Sequence, residues 1–178
     1  MNNAIKTYML TKSYGKSRGI TDLNLIVDEG DFFGFIGPNG AGKSTTIRTL
    51  LGLIHPTSGR AEILGKPLKR ITEILTEVGY IPSECIFYPG MRVGELIKYS
   101  AGIRKKDCSA EAKILCDRLC LDIKMKIDQL SMGNRKKTAI VCAMQHRPSL
   151  YILDEPTSGL DPLMQNEFFN LLKERNKE

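Results

Sequence analysis

Between residues 37 and 44 the chain reads Gly37-Pro38-Asn39-Gly40-Ala41-Gly42-Lys43-Ser44, which fits the pattern G-x-x-x-x-G-K-[S/T]. The glycines allow the backbone to wrap tightly around a phosphate group, with its N–H groups pointing inward. Lys43 would place its ammonium on the β- and γ-phosphate oxygens, and Ser44 would offer a hydroxyl to Mg²⁺. The stretch therefore predicts a site for a nucleoside triphosphate.

The segments on either side of this loop favour the same interpretation. Residues 31–36 (DFFGFI) predict a buried strand before the loop. Residues 44–53 predict a helix after it, whose N-terminal dipole would face the phosphate. The alternative is a glycine-rich turn that fits a short pattern by chance.

A second apolar run, residues 149–153, ends in the acid pair Asp154 and Glu155. Sheets of α/β proteins bind ligands at the C-terminal ends of their parallel strands, so a buried strand here would deliver an acid to a ligand site. Asp154 suits a Mg²⁺ ligand, and Glu155 suits a general base that polarises the attacking water. The alternative is a turn of two acids before Pro156.

A third segment, residues 130–137 (LSMGNRKK), opens a predicted helix that continues to Met144. Ser131 is the predicted N-cap, and Gly133 leaves backbone N–H groups open. Alone, this pattern is an ordinary helix start. It precedes the acid pair, however, and the run Pro156-Thr157-Ser158-Gly159-Leu160-Asp161 follows that pair.

In combination these segments resemble the ATP-binding cassette (ABC) family of ATPases, specifically the nucleotide-binding subunit of a transporter, and the resemblance covers the whole chain. Residues 37–45 resemble the Walker A loop, and residues 150–155 resemble Walker B with its catalytic glutamate. Residues 130–134 resemble the signature motif, and residues 158–161 resemble the D-loop. Tyr14 lies where the family stacks an aromatic ring on adenine.

The resemblance implies ATP and Mg²⁺ as the bound groups. It makes Glu155 and Lys43 catalytic and gives the metal to Ser44 and Asp154, with Ser83 as a further candidate. The residues expected to contact nucleotide are Tyr14, Gly37, Pro38, Asn39, Gly40, Ala41, Gly42, Lys43, Ser44, Thr45, Ser131 and Gly133.

The chain departs from the family's pattern in the signature and in the segment after residue 82. Met132 and Asn134 replace the first Gly and the Gln of the usual L-S-G-G-Q. Ser83 stands where the family has a glutamine that touches Mg²⁺ and the transport partner. Either Ser83, acting through a water, or Glu84 would have to replace that contact.

A third departure concerns the family's γ-phosphate histidine, which lies on a strand well past the D-loop and is not reached by Glu178. The two histidines present, His55 and His146, are interpreted as turn or surface residues. We therefore expect residues 1–178 to be one ABC ATP-binding domain that is incomplete at its C-terminus. Because a central strand would be missing, we expect this form to be weak or inactive as an ATPase.

The predicted fold class is α/β. A P-loop NTPase core with a RecA-like mixed or parallel sheet, together with an N-terminal antiparallel β subdomain, would comprise residues 1–83 and 138–178. An inserted α-helical subdomain, residues 84–137, would carry the signature motif. The predicted strands are 8–10, 21–27, 60–64 and 78–82, and the predicted helices of the insert are 93–103 and 110–121.

A last predicted helix begins with Asp161 as N-cap and Pro162 at its first position. Its apolar residues recur at i, i+4, i+7 and i+8, which predicts one buried face. That stripe consists of Met164, Phe168, Leu171 and Leu172.

Composition is ordinary for a globular protein, with 42% hydrophobic and 26% charged residues. No segment reads as a membrane span or signal peptide, so we expect a cytoplasmic protein attached to the membrane face through a partner. The five cysteines do not have the spacing of a disulfide framework. Cys116 and Cys120 could form a metal clip, but reduced thiols packed as small hydrophobes are favoured.

The net charge is +6, with basic clusters at residues 66–70, 104–106 and 135–137. We interpret these clusters as solvated faces; attraction to anionic lipid or nucleic acid is the alternative. Aromatic residues are not interleaved with the basic ones, which argues against binding of single-stranded nucleic acid.

One cassette cannot supply both a loop and a facing signature for the same γ-phosphate, so the resemblance implies a head-to-tail dimer around two ATP molecules. The second ATPase subunit would be identical or different, and closure would drive a transmembrane permease subunit. Two alternatives stay open. One is a soluble ABC-type ATPase acting on nucleic acid or ribosomes, and the other is a non-catalytic nucleotide-binding module.

Overall fold

The computed structural model of the protein describes residues 2–15 and 17–177. The chain divides into two compact units, Met1–Thr76 and Glu77–Glu178. The first unit is built on an antiparallel sheet, and the second combines two parallel strands with helices. Both kinds of sheet agree with the predicted α/β class. Among the described residues, no helix is both long and apolar enough to cross a bilayer.

The sheet of the first unit is organised around one long strand, β1. It pairs antiparallel with β2, β3 and β4, while β5 pairs with β4. The strands are β1 (Asn3–Tyr14), β2 (Ser17–Leu23), β3 (Ile26–Asp28), β4 (Ser58–Ile63) and β5 (Lys66–Pro67).

The predicted strand at residues 21–27 is two strands, β2 and β3, with a break between them. The break is stabilised by the buried Thr7 of β1, whose hydroxyl donates to the Leu23 carbonyl at 2.8 Å and accepts from the Leu25 N–H at 2.8 Å. The Asn24 side chain also accepts from the Met9 N–H at 2.9 Å. Side chains therefore satisfy backbone groups that a continuous ladder would have paired.

Helix α1 (Lys43–Leu50) confirms the helix predicted after the glycine-rich loop. Its last turn is followed by Gly52, whose φ of 68° is the left-handed conformation that commonly ends a helix. A 3-10 turn at Leu68–Arg70 leads into the short helix α2 (Ile71–Ile74).

The prediction of a strand at residues 31–36 is wrong. The segment has no regular secondary structure, and the side chains of Phe32 and Ile36 are 63% and 93% exposed. Within the described part of the first unit, no strand pairs with it. A parallel strand depends on neighbours to pair its N–H and C=O groups, so apolar composition alone does not create one here.

The second unit has a two-stranded parallel sheet of β6 (Val78–Ile81) and β7 (Leu150–Leu153). Val78 lies opposite Leu150, and Ile81 lies opposite Leu153. Between the strands come α3 (Val93–Ile103), α4 (Ser109–Arg118), a 3-10 turn (Ile127–Gln129) and α5 (Met132–Met144); α6 (Pro162–Arg175) follows β7.

The helices of this unit agree closely with the predicted ones. The bounds of α3 match the prediction, and α4 ends early because Cys120 adopts a left-handed φ of 50°. Cys116 is therefore buried on the helix while Cys120 is exposed beyond its end. The predicted cap of α6 is confirmed, since the Asp161 carboxylate accepts from the Met164 N–H at 3.0 Å. All four residues of the apolar stripe of α6 are buried.

Two residues that were expected at the surface are buried, although His146 does lie in a turn, the other half of its interpretation. His146, directly after α5, is only 4% exposed, and burial lowers the pKa of its imidazole to about 4. Lys136, in the basic cluster at residues 135–137, is 2% exposed because it lies on the face of α5 that also buries Ile140. His55, in contrast, is exposed in the loop after α1.

Candidate functional site

The loop at residues 37–42 leads directly into α1 without any side-chain cap. Gly42 precedes the helix with φ 92°, a left-handed conformation, and Gly40 is also left-handed at φ 80°. Within the loop, the Ala41 N–H donates to the Pro38 carbonyl at 3.1 Å. Because no side-chain cap bond is formed at the start of α1 by the residues that the structure describes, its positive end is available to an anion.

Gly42 is required for a second reason, close packing against β2. A Cβ added at this position would lie 2.6 Å from Cγ2 of Ile20 and 2.9 Å from the Gly19 carbonyl oxygen. Both distances are below van der Waals contact, so only glycine fits. The loop is thus held against the sheet by a contact that leaves no room for a side chain.

Lys43 folds back over the loop that precedes it. Its ammonium donates to the carbonyl oxygens of Gly37 at 2.6 Å and Pro38 at 3.0 Å. A lysine ammonium has three donors in a compact charge, and here it is positioned by the loop that is expected to hold phosphate. The Ser44 side chain is exposed in the first turn of α1, and Thr45 is half-buried beside it.

Tyr14 ends β1 and is 46% exposed. The Lys12 ammonium lies 5.3 Å from the ring centroid, a cation–π arrangement. The first unit therefore carries the whole predicted Walker A loop and the predicted adenine-stacking ring.

In the second unit, Asp154 and Glu155 follow β7 at its C-terminal end. The Asp154 N–H donates to the Ile81 carbonyl at 2.9 Å, which extends the parallel ladder by one bond beyond β7. Asp154 is half-buried and Glu155 is exposed. Glu155 has φ 48°, a left-handed conformation that is uncommon in residues other than glycine and costs on the order of 1–3 kcal/mol. Such strain often lies at functional sites.

The start of α5 confirms the predicted N-cap. The Ser131 hydroxyl accepts from the Asn134 N–H at 3.3 Å. A Cβ at Gly133 would lie 2.8 Å from the Gly159 carbonyl oxygen, and one at Gly159 would lie 2.6 Å from Cε of Met132. The two predicted motifs, signature and D-loop, therefore pack directly on one another, and both glycines are needed for that contact.

Ser83 and Glu84 lie in the loop after β6, the first half-buried and the second exposed. A cavity of about 270 Å³ lies beside them. It is also lined by Met132 and Lys136 of α5 and by Ser158 of the predicted D-loop. The second unit thus groups the Ser83 loop, the signature helix and the D-loop around one space.

The sequence did not lead us to predict that Lys136 is buried beside this cavity. The signal was present, since residues 136, 140 and 144 recur every four positions on α5, the spacing of one helix face. Ile140 and Met144 of that series are apolar and fully buried. A charged residue continuing a buried stripe indicates a partnered charge rather than a solvated one.

Comparison with known proteins places the chain in one family. A family model described as ABC transporter matches residues 20–158. The bacitracin transport ATP-binding protein BcrA of Bacillus licheniformis is 42% identical over 184 residues, which cover 99% of this chain and 60% of that protein. A probable multidrug ABC transporter ATP-binding protein of Escherichia coli is 34% identical over 93% of this chain and 30% of its own length. The chain thus spans about 60% or less of these relatives.

Solved structures agree with the sequence comparison. An ATP-binding subunit of an ABC transporter aligns with a TM-score of 0.89 and 30% identity, covering 98% of this chain and 75% of that one. A dimeric ATP-binding cassette in a post-hydrolysis state, bound to ADP and Pi, aligns with a TM-score of 0.86 and 25% identity, covering 97% and 83%. The predicted fold is confirmed, and the chain belongs to the ABC transporter family.

Proposed function

We propose that this chain is the ATP-binding and ATP-hydrolysing part of an ABC transporter, in which it powers a separate transmembrane permease subunit from the cytoplasmic face of the membrane. The observation that carries the proposal is the uncapped start of α1. The loop before it has room only for glycine at residue 42. An N-terminal helix end with open N–H groups and a lysine beside it is an anion site by electrostatics and geometry.

In the proposed complex, the backbone N–H groups of residues 37–45 surround the β-phosphate of ATP. The Lys43 ammonium exchanges its loop carbonyl partners for β- and γ-phosphate oxygens, which are stronger charge-assisted acceptors. The exposed ring of Tyr14 stacks on adenine. Each role uses a group whose position in the first unit is compatible with it.

Hydrolysis is assigned to the acids after β7. Oxygen donors suit Mg²⁺, and Ser44 and Asp154 supply a hydroxyl and a carboxylate for it, with Ser83 or Glu84 as further candidates. The metal would neutralise charge on the phosphates. Glu155 accepts a proton from the attacking water as general base.

Ser131 and Gly133 are proposed to face the γ-phosphate of ATP bound to a second cassette, identical to this one or different. Ser131 already accepts a hydrogen bond from the Asn134 N–H, so its hydroxyl retains its own proton to donate to an incoming phosphate oxygen. Two cassettes closing on two ATP molecules would supply the work that moves the permease.

Thermal unfolding with and without Mg-ATP tests the binding step. For the parent chain, ATP at a hundred times Kd should stabilise the fold by about 2.7 kcal/mol. Lys43→Ala should lose most of this shift because it removes the ammonium that binds the phosphates. Lys69→Ala, which removes an exposed lysine of the same unit, should keep it. An equal shift in Lys43→Ala and the parent would refute the assignment of the loop.

A further inference from the structure

Lys136 is the one lysine that is buried among the described residues. Its side chain is 2% exposed on α5. Its ammonium donates to the carbonyl oxygens of Pro82 at 2.9 Å, Ser83 at 2.9 Å and Glu155 at 3.2 Å. Three acceptors match the three N–H donors of an ammonium group.

The partners explain why a charge can be buried here. An ammonium taken out of water is strongly unfavourable unless it is hydrogen-bonded, and Lys136 forms no ion pair with a carboxylate among the residues that the structure describes. Three carbonyl dipoles therefore replace its hydration. Charge-assisted bonds of this kind are stronger than those between neutral groups, so the three carbonyls are held firmly.

The acceptors come from two loops that leave the same end of the parallel sheet. Pro82 and Ser83 follow β6, and Glu155 follows β7. The Glu155 carbonyl also accepts from the Ser158 N–H at 3.2 Å. Glu155 has the left-handed backbone described above, which persists only when its surroundings over-determine it. Among the described residues, the Lys136 ammonium and the Ser158 N–H are the two donors that hold this carbonyl in place.

We propose that Lys136 is a positioning residue for hydrolysis, which fixes the backbone of Glu155 relative to the loop at Ser83. The inference rests on the proposed function, in which Glu155 is the general base. Among the described residues, the Lys136 ammonium donates hydrogen bonds to main-chain oxygens alone. Lys136 therefore acts through Glu155, because the ammonium holds the backbone from which the Glu155 carboxylate extends. A shift of the Ser83 loop is transmitted to Glu155 through the same ammonium.

Steady-state ATP hydrolysis by three variants of the full-length protein tests this role. Lys136→Met keeps the length of the side chain but removes all three donors, and Lys136→Gln keeps two donors and removes the charge. Lys137→Met is the matched control, since it removes the neighbouring lysine, whose side chain has no hydrogen bond among the described residues.

We expect Lys136→Met to lower kcat by about 10–100-fold, because small displacements of a catalytic group cost that much, with the KM for ATP nearly unchanged. Lys136→Gln should give an intermediate kcat and Lys137→Met the parental kcat. A parental kcat in both Lys136 variants overturns the proposal. So does a parallel loss of kcat and ATP affinity, which indicates general damage. If Lys136→Met does not fold, Lys136→Gln must still show a lowered kcat at unchanged KM.

Amide hydrogen exchange provides a readout that does not depend on activity. In Lys136→Gln, exchange should become faster both in residues 83–85 and in residues 155–158, while α1 keeps the parental rate. Faster exchange in only one of these segments, or in neither, overturns the proposal. If the parent protein hydrolyses no ATP, the proposed function fails, and the exchange experiment still decides whether Lys136 joins the two loops.

Discussion

Helices α1 and α5 both begin at segments proposed to contact phosphate, but their first turns are satisfied differently. Gly42 precedes α1 in a left-handed conformation and has no side chain to offer as a cap. Ser131 precedes α5 with an extended backbone, and its hydroxyl accepts from the Asn134 N–H. One helix start therefore leaves its N–H groups to a ligand, and the other has one of them, that of Asn134, capped by its own sequence.

The difference indicates separate roles for the two helix starts. An uncapped start gains most when an anion arrives, because the open N–H groups and the helix dipole then find their partner. A capped start has its geometry fixed beforehand and can present groups without rearrangement. We expect the start of α1 to depend on nucleotide bound in its own cassette for its stability, and the cap geometry of α5 to be kept without it.

The largest effect is expected from Gly42→Ala. The added methyl group would collide with Ile20 and the Gly19 carbonyl in addition to its backbone strain. We expect destabilisation by at least about 2 kcal/mol and loss of the thermal shift caused by ATP, both measured by calorimetry.

Gly30→Ala is the matched control for this substitution. Gly30 has a similar φ of 87°, but apart from its chain neighbours no atom of the described residues lies within 4 Å of the position where its Cβ would be. It should lose about 1–2 kcal/mol of stability from backbone strain alone and keep the full response to ATP. If Gly30→Ala also lost the ATP response, the close packing of Gly42 would not be the cause.

Gly133→Ala should have the next largest effect, at the start of α5. Its Cβ would meet the Gly159 carbonyl oxygen at 2.8 Å, a contact between backbone groups that cannot easily yield. We expect a loss of about 1–3 kcal/mol in urea unfolding. Gly102→Ala on α3 has open space around it and should instead gain about 0.5–1 kcal/mol. If Gly133→Ala and Gly102→Ala lost equal stability, the close contact between residues 133 and 159 would not be the cause of the loss.

Ser131→Ala should have the smallest effect. It removes the cap bond to the Asn134 N–H and should cost about 1 kcal/mol, with or without ATP present. Asp161→Ala removes the equivalent cap of α6 and serves as the comparison. A loss in Ser131→Ala that ATP abolished would show that the start of α5 depends on ligand as α1 does.

Local signals in the sequence predicted the helices well. Asp161 and Pro162 placed the start of α6, and Ser131 placed the start of α5, because caps act within one turn. The strand before Asp154 was also predicted correctly, since its partner β6 is formed by a comparable apolar run. Those features depend on few residues and on periodicities that the sequence displays directly.

Features that depend on distant partners were not predictable in the same way. Residues 31–36 have the composition of a buried strand but pair with no strand in the described part of their unit. The break after β2 depends on the Thr7 hydroxyl, and the burial of Lys136 depends on carbonyls of residues 82, 83 and 155. In the last two cases the deciding contact joins segments 16 or more positions apart in the chain, and in the first the contact is missing.

The central claim, that Glu155 is the base of an ATP-hydrolysing cassette, is tested most directly by Glu155→Gln in the full-length protein. ATP binding is measured by thermal shift and hydrolysis by phosphate release. We predict that the variant binds ATP like the parent while its hydrolysis falls by roughly 10²–10⁴-fold, the contribution of a general base. Hydrolysis at the parental rate by Glu155→Gln would contradict the account, and ATP binding without turnover in the parent would indicate a non-catalytic nucleotide-binding module instead.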